Sequence, residues 1–100
     1  MRKITKEAVA AFLAGEEYSK DNTCVFYDAG QGAMILSLYS HHIAKRSNKG
    51  KLWVCTCGWA TKTTMERLNG IPGVSVCQMK FKLYLNGKIW ENHSDWTEVK

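Results

Sequence analysis

Apolar residues near the start of the chain follow a helical spacing and then give way to alternation. The positions that share one helical face are Val9, Phe12 and Leu13. Thr5 is a suitable N-cap, because its side-chain oxygen can accept a hydrogen bond from an exposed N–H of the first turn. Gly15 is suited to end the helix. This pattern predicts a first helix over residues 6–14 that packs against the rest of the domain.

From Thr23 onward apolar and polar residues alternate, which is typical of strands with one buried face. Glycine-rich or polar turns separate the alternating runs. The predicted strands are 24–27, 34–39, 43–46 and 52–57, and they form a four-stranded meander. Both faces of the last run are largely apolar, so we expect this strand to be central in the sheet.

A second, shorter helix is predicted after Gly58-Trp59. Thr63 and Glu66 have the spacing of a capping box, in which a hydroxyl and a carboxylate each bind an exposed backbone N–H. Leu68 would then point inward. Gly70 is expected to end the helix, and Pro72 would prevent it from continuing.

Alternation resumes over residues 74–79 and 81–85 and leads into Asn86-Gly87. Asn-Gly between alternating runs predicts a tight hairpin, because both residues tolerate positive φ. A return strand at 88–90 and an edge strand at 96–99 complete the pattern. We expect one α+β domain over residues 1–100, with an antiparallel sheet packed on the N-terminal helix and the order α-β-β-β-β-α-β-β plus the C-terminal edge strand.

Composition limits the class of protein. The chain has 100 residues, of which 45% are hydrophobic, enough for one core. Glu7 interrupts the apolar run near the N-terminus, so we read that run as a mature helix and not as a signal peptide. No run is long enough to cross a bilayer, and we expect no membrane partner. In a cytoplasmic protein the four cysteines, Cys24, Cys55, Cys57 and Cys77, are expected to be reduced.

Two local patterns could carry chemistry. Cys55-x-Cys57 offers two thiols, but a single intervening residue on a predicted strand is not the spacing of a zinc knuckle. His41-His42 has no accompanying nucleophile motif or carboxylate pair, so a solvated turn is the simpler interpretation. We therefore expect small buried thiols, and no metal, cofactor or catalytic residue.

Positive charge is concentrated in the middle of the chain. Residues 41–90 carry nine basic residues and one acidic residue, a net charge of +8 within a total of +5. The aromatic residues of this segment include Trp53, Trp59, Tyr84 and Trp90. Cations neutralise phosphates and exposed aromatic rings stack on bases, so the segment is a candidate nucleic-acid-binding region. No RNA-binding sequence motif accompanies it, and the alternative is that the lysines are solvated and the tryptophans belong to the core.

Several stretches resemble small accessory proteins encoded by tailed bacteriophages. The main run is GWATKTTMERLNGIPGV, whose matching residues are Gly58, Trp59, Thr61, Thr63, Thr64, Arg67, Leu68 and Asn69. The stretches AGEEYSKDNT, SLYSHHIAKR, KLYLNGKIW and DWTEV extend the resemblance over most of the chain. It implies a phage gene product that acts inside a bacterial cell. The resemblance implies no particular activity, so no functional residue is assigned from it.

Two function hypotheses follow. The first is a non-enzymatic phage protein that binds and inhibits or modulates a bacterial host or anti-phage defence protein. The alternative is a basic nucleic-acid-binding module that uses residues 41–90. The candidate binding residues are Trp59, Lys62, Arg67, Asn69, Lys45, Arg46, Trp90 and Trp96. Among them, Lys62 and Arg67 would meet an acidic partner, and the last two tryptophans would be aromatic anchors beside an exposed sheet edge at 95–99.

Overall fold

The first helix, α1, spans Lys3–Ala14 in the computed structural model, which describes residues 1–100. It begins three residues earlier than predicted, and Arg2 occupies the N-cap without a side-chain hydrogen bond. The prediction of Thr5 as N-cap is wrong, because Thr5 lies fully buried in the first turn. Gly15 ends the helix with φ 75°, as predicted, since the left-handed conformation favours glycine.

Six antiparallel strands form the main sheet. Five of them follow one another in the chain: β1 Tyr18–Lys20, β2 Thr23–Asp28, β3 Ala33–Leu38, β4 His41–Ser47 and β5 Leu52–Val54. The last strand of the chain, β9 (Thr97–Val99), pairs with β5 and gives the order β1-β2-β3-β4-β5-β9. The predicted meander and its C-terminal edge strand are therefore present. Strand β1 was not predicted, and β5 is shorter than predicted. β5 lies inside the sheet, paired with β4 on one side and with the edge strand β9 on the other.

A second helix and a small sheet lie between β5 and β9. Helix α2 spans Lys62–Asn69, and the small sheet contains β6 Val76–Met79, β7 Lys82–Leu85 and β8 Lys88–Ile89. Asn86 and Gly87 have φ values of 51° and 83°, as the predicted hairpin requires. Strand β7 begins at Lys82, one residue later than the predicted strand over 81–85, because Lys80 and Phe81 have positive φ and form a turn.

The N-cap of α2 is Thr61, two residues before the predicted position. The Thr61 side chain accepts a hydrogen bond from the backbone N–H of Thr64 at 3.1 Å. Thr63 therefore lies inside the helix, and Glu66 binds Thr5 and Arg67 in place of the predicted capping contact. The prediction of a Thr63–Glu66 capping box is wrong, although the helix itself is present.

One hydrophobic core joins these elements. It lies between α1, one face of the main sheet, α2 and the small sheet, and its members include Phe12, Val25, Leu36, Val54 and Leu68. The architecture is a single compact α+β domain with an N-terminal helix packed on an antiparallel sheet, and the predicted fold class is confirmed. No helix has the length and apolar character that crossing a membrane would require.

Candidate functional site

A tight turn fixes the backbone of Trp59 between β5 and α2. The Trp59 N–H donates to the Thr56 carbonyl at 2.9 Å across Cys57 and Gly58, which both have positive φ. The Thr64 hydroxyl donates to the Trp59 carbonyl at 2.8 Å. The Trp59 side chain is nevertheless 59% exposed. A large aromatic ring is thus presented to solvent from a backbone that is held on both sides.

Tyr39, in the turn between β3 and β4, and His41, the first residue of β4, extend the exposed aromatic area around Trp59. The His41 ring stacks on the Trp59 ring, with 5.6 Å between centroids and 28° between planes. Tyr39 is 68% exposed, and its φ is 50°. Positive φ is uncommon for a bulky residue and is found where the surrounding structure enforces it. We call Tyr39, His41 and Trp59 the Trp59 surface.

A pocket of about 300 Å³ opens beside the Trp59 surface. Its lining residues are Leu38, Tyr39, His41, Ile43, Thr56, Trp59, Thr61 and Thr64. The Thr56 hydroxyl lies 2.6 Å from Nδ1 of His93, and Thr64 binds the Trp59 carbonyl. The lining contains no lysine, arginine or carboxylate. With its deeper hydroxyls already paired and its walls apolar, the pocket suits an apolar group better than a charged one.

Arg67 was expected to be exposed, and this expectation is wrong. Its side chain is completely buried between α2, α1 and β2. Nε donates to the Thr23 hydroxyl at 3.1 Å, Nη1 donates to the Thr5 hydroxyl at 2.8 Å, and Nη1 also pairs with Glu66. An arginine that is held in this way joins three elements of the fold and does not reach a partner at the surface.

The Glu66 carboxylate is the counter-ion of Arg67. Partial burial opposes its ionisation, but the hydrogen bonds from Thr5 and the Arg2 backbone, together with the charge of Arg67, hold the Glu66 pKa below its usual value. The Glu66 carboxylate is therefore ionised at neutral pH, beside Arg67 at the junction of the two helices.

Asn69 was also expected to have no structural role. Its side-chain amide donates to the Val76 carbonyl at 2.9 Å, and its side-chain oxygen accepts from the Val76 N–H at 2.6 Å. These two hydrogen bonds pair the backbone N–H and carbonyl of Val76 in β6, as a neighbouring strand would. That expectation is therefore wrong, because Asn69 attaches the small sheet to α2.

Lys45 and Arg46 project from opposite faces of β4, because successive residues of a strand alternate. Lys45 Nζ lies 5.2 Å from the Trp53 ring centroid and 4.7 Å from that of Trp96. The ammonium is thus held between two aromatic faces, an arrangement that attracts cations. Trp96 is only half-exposed there. This contact reduces the availability of Lys45 and Trp96 for a partner.

Trp90 and Lys62 have contrasting positions. Trp90 is 5% exposed, and its Nε1 donates to the Thr97 hydroxyl at 2.9 Å. The expectation that Trp90 is a surface anchor is wrong, because its ring belongs to the core. Lys62 is exposed at the first position of α2, directly after Thr61 of the pocket lining. Of the eight candidate binding residues, Trp59 lines the pocket described above, whereas Lys62 and Asn69 line a separate pocket of about 570 Å³.

Tyr39 was not among the predicted site residues, and His41 was predicted to lie in a solvated turn. The signal that could have found Tyr39 is its place in a tight turn between two alternating runs, where asparagine or glycine is favoured. A tyrosine there is not explained by local preference. The stacking of His41 on Trp59 joins residues that are distant in sequence and has no local signal.

A second exposed apolar area lies on the small sheet. Met79, Phe81 and Ile89 are 54%, 98% and 50% exposed. We call these three residues the small-sheet face. No pocket as enclosed as that beside Trp59 accompanies it, but its exposure makes it a competing binding surface.

The described chain contains no group of three or more histidine, cysteine, aspartate or glutamate side chains arranged to hold a metal ion. The four cysteines are free thiols. The chemistry that the Trp59 surface offers is accordingly that of aromatic stacking and apolar contact.

Fold and site together define a small, single-domain α+β protein with an exposed aromatic surface beside a pocket. Over residues 1–99 the sequence matches the family described as Kyanoviridae Gp96 protein. The chain therefore belongs to this family of phage proteins, which confirms the predicted phage origin. The Gly58–Asn69 pattern as a mark of the family stays a prediction. No curated protein and no solved structure gave a significant match.

Proposed function

We propose that this phage protein is a non-enzymatic accessory protein that binds, and so inhibits or modulates, a bacterial host or anti-phage defence protein. The binding site is the Trp59 surface with its pocket, and the exposed Lys62 directly follows Thr61 of the pocket lining. The observation that carries the proposal is the 59% exposed Trp59 ring on a fixed backbone beside an apolar pocket.

Exposed tryptophan and tyrosine are suited to protein interfaces. They contribute large apolar areas with few rotatable bonds, and they are enriched among residues whose truncation weakens binding strongly. The backbone bonds of Trp59 to Thr56 and Thr64 already order the turn before a partner arrives. Less conformational entropy is then lost on association.

The pocket favours an apolar side chain of a partner protein. Its volume of about 300 Å³ and its lining of aliphatic, aromatic and threonine residues match such a group. The phosphates of a nucleic acid would instead require cations, and the pocket lining has none. Lys62 is exposed and directly follows Thr61 of the lining, and it would meet an acidic residue of the partner.

Nucleic-acid binding is the alternative function, and the structure reduces the charge available to it. Two of the nine basic residues in 41–90 are engaged, since Arg67 is buried and Lys45 lies between two tryptophan rings. Exposed positions are occupied by Lys49, Lys51, Lys62, Lys80, Lys82 and Lys88. These six lysines are the observation that favours a phosphate-binding surface.

Membership of a phage family supports action inside a bacterial host, where host and defence proteins are present. We place the protein in the host cytoplasm as part of the same proposal.

Affinity capture from bacterial lysate tests the two functions against each other. The tagged protein is incubated with lysate before and after nuclease treatment, and bound proteins are identified by mass spectrometry. Retention of a protein after nuclease treatment supports the proposal. In parallel, a mobility-shift assay with duplex and single-stranded nucleic acid is run over a salt series, and strong, steeply salt-dependent retention would favour the alternative.

A further inference from the structure

Cys55 and Cys57 bring their sulfur atoms close together just after β5. The two Sγ atoms are 3.6 Å apart, and each lies 3.1 Å from the His42 carbonyl oxygen. In an extended strand, side chains two residues apart point to the same face but stay separated. The φ of 55° at Cys57 bends the chain and allows this close approach.

The two thiols differ in accessibility. Cys55 is 3% exposed, whereas Cys57 is half-buried. Both line an open groove of about 450 Å³ that also includes His41, His42 and Asp95. A small reagent in this groove reaches Cys57 more readily than Cys55.

The other two cysteines have different surroundings. Cys24 lies 3.5 Å from the Ser19 hydroxyl on the paired strands β1 and β2, and Cys77 is exposed on β6. Neither has a second thiol as a contact. They serve as internal references for the behaviour of isolated thiols in the same molecule.

We propose that Cys55 and Cys57 form a redox-active dithiol that closes to a disulfide by exchange with a low-molecular-weight disulfide such as glutathione disulfide. The sulfurs need to approach from 3.6 Å to about 2.05 Å. A disulfide across one intervening residue is constrained and therefore easily reduced, which makes the bond reversible.

The exchange has two steps. The Cys57 thiolate attacks one sulfur of glutathione disulfide, forms a mixed disulfide and expels glutathione thiolate, which takes a proton from solvent. Cys55 then loses its proton to solvent and attacks Sγ of Cys57, expelling the second glutathione. Two protein thiols are oxidised, and one glutathione disulfide is reduced to two glutathione molecules.

The electrostatics agree with this order. Burial, a hydrogen bond to Cys57 and the charge of Cys57 raise the pKa of the Cys55 thiol to about 12. Cys57 is therefore the first nucleophile. Once Cys57 is in a mixed disulfide, its negative charge no longer opposes ionisation of Cys55.

The dithiol lies next to the Trp59 surface but is independent of the proposed binding function. Cys57 belongs to the turn that holds the Trp59 backbone, so closure changes the geometry of that turn. The test below uses no binding partner, and its outcome therefore does not depend on whether the protein binds one.

The test equilibrates the reduced full-length protein with defined mixtures of glutathione and glutathione disulfide, followed by alkylation, trypsin digestion and mass spectrometry. Cleavage after Lys51 and Lys62 places both cysteines in peptide 52–62, whereas Cys24 and Cys77 fall in other peptides. We expect peptide 52–62 to lose two hydrogen atoms and to carry no glutathione.

The dependence on concentration identifies the product. An intramolecular disulfide follows the ratio of glutathione disulfide to the square of glutathione, so doubling both concentrations halves the oxidised-to-reduced ratio of peptide 52–62. A mixed disulfide at Cys77 depends on the simple ratio and stays unchanged. Cys57→Ser should abolish closure, and a Cys24→Ser/Cys77→Ser double variant should retain it.

Two results would overturn the proposal. One is a peptide 52–62 that stays fully reduced while Cys77 becomes glutathionylated. The other is a peptide 52–62 that accumulates bound glutathione with the same concentration dependence as Cys77. Because the wild-type protein gives this readout, a folding defect in Cys57→Ser does not affect the conclusion.

Discussion

The Arg67 guanidinium donates a 2.8 Å hydrogen bond from Nη1 to the hydroxyl of Thr5, and this bond joins α2 to α1. Through Nε the same side chain reaches Thr23 on β2. Glu66 balances its charge. A single buried arginine thus fixes the relative positions of both helices and the sheet, and the turn that carries Trp59 leads directly into one of those helices.

Replacing Arg67 should strongly destabilise the fold. Arg67→Ala removes a fully buried side chain and leaves the hydroxyls of Thr5 and Thr23 without their donor, so we expect a loss of about 3 kcal/mol or more. Arg67→Lys should also destabilise, because one ammonium cannot reproduce the fork geometry of the guanidinium. Urea denaturation measures both effects. Lys62→Ala, on the exposed side of the same helix, is the control and should change stability by less than about 0.5 kcal/mol.

Glu66 should contribute to stability in a pH-dependent way. Its pKa is lowered in the folded state, so its stabilising effect is present above its usual value of 4.5 and is lost as pH falls through the folded pKa. Glu66→Gln should therefore reduce stability by about 1 kcal/mol at pH 7. The difference between wild type and variant should shrink below about pH 4.5. Thermal melts from pH 7 to pH 3 measure this difference, and a constant gap would refute the assignment.

Thr61 and Thr63 offer a direct test of the N-cap of α2. Thr61→Ala removes the acceptor for the Thr64 N–H and should cost about 1 kcal/mol. Thr63→Ala lies inside the helix and should change stability by less than about 0.5 kcal/mol. Chemical denaturation of the two variants under the same conditions compares them, and a larger loss for Thr63→Ala would place the cap where the sequence pattern put it.

Gly70 is required by close packing of the helices. A Cβ at this position would lie 2.5 Å from Cγ2 of Thr5 and 3.2 Å from Cγ2 of Val9. Gly70→Ala should therefore cost about 1–3 kcal/mol through overpacking. Gly30→Ala is the matched control, because a Cβ at Gly30 meets only the Asp28 side chain, at 3.2 Å. Equal melting temperatures for the two variants would contradict this account of Gly70.

Local signals in the sequence were sufficient to predict much of the fold. Gly15 and Asn86-Gly87 mark positions where the backbone needs positive φ, and alternation located most of the strands. The α2 cap was misplaced because Thr61 and Thr63 both suit the position. The two threonines are distinguished only by contacts in the folded protein. There the Thr61 hydroxyl accepts from the Thr64 N–H, and the Thr64 hydroxyl donates to the Trp59 carbonyl.

Less of the candidate site could be predicted from the sequence. Arginine is usually exposed, so nothing local indicated that Arg67 is buried against Thr5 and Thr23, which are 62 and 44 residues away in the chain. Trp59, which the sequence offered as a candidate binding residue, is exposed. Its stacking on His41 arises from tertiary structure alone.

The most direct test of the proposed function is capture of a partner from nuclease-treated bacterial lysate by the wild-type protein and two matched variants. Trp59→Ala removes the exposed ring of the Trp59 surface, and Phe81→Ala removes an exposed ring from the small-sheet face. Circular dichroism is used to check that both variants are folded. The account predicts that wild type and Phe81→Ala retain the same host protein and that Trp59→Ala loses it by about tenfold or more, as expected for a central aromatic contact. Equal retention by Trp59→Ala, or loss with Phe81→Ala alone, would contradict it.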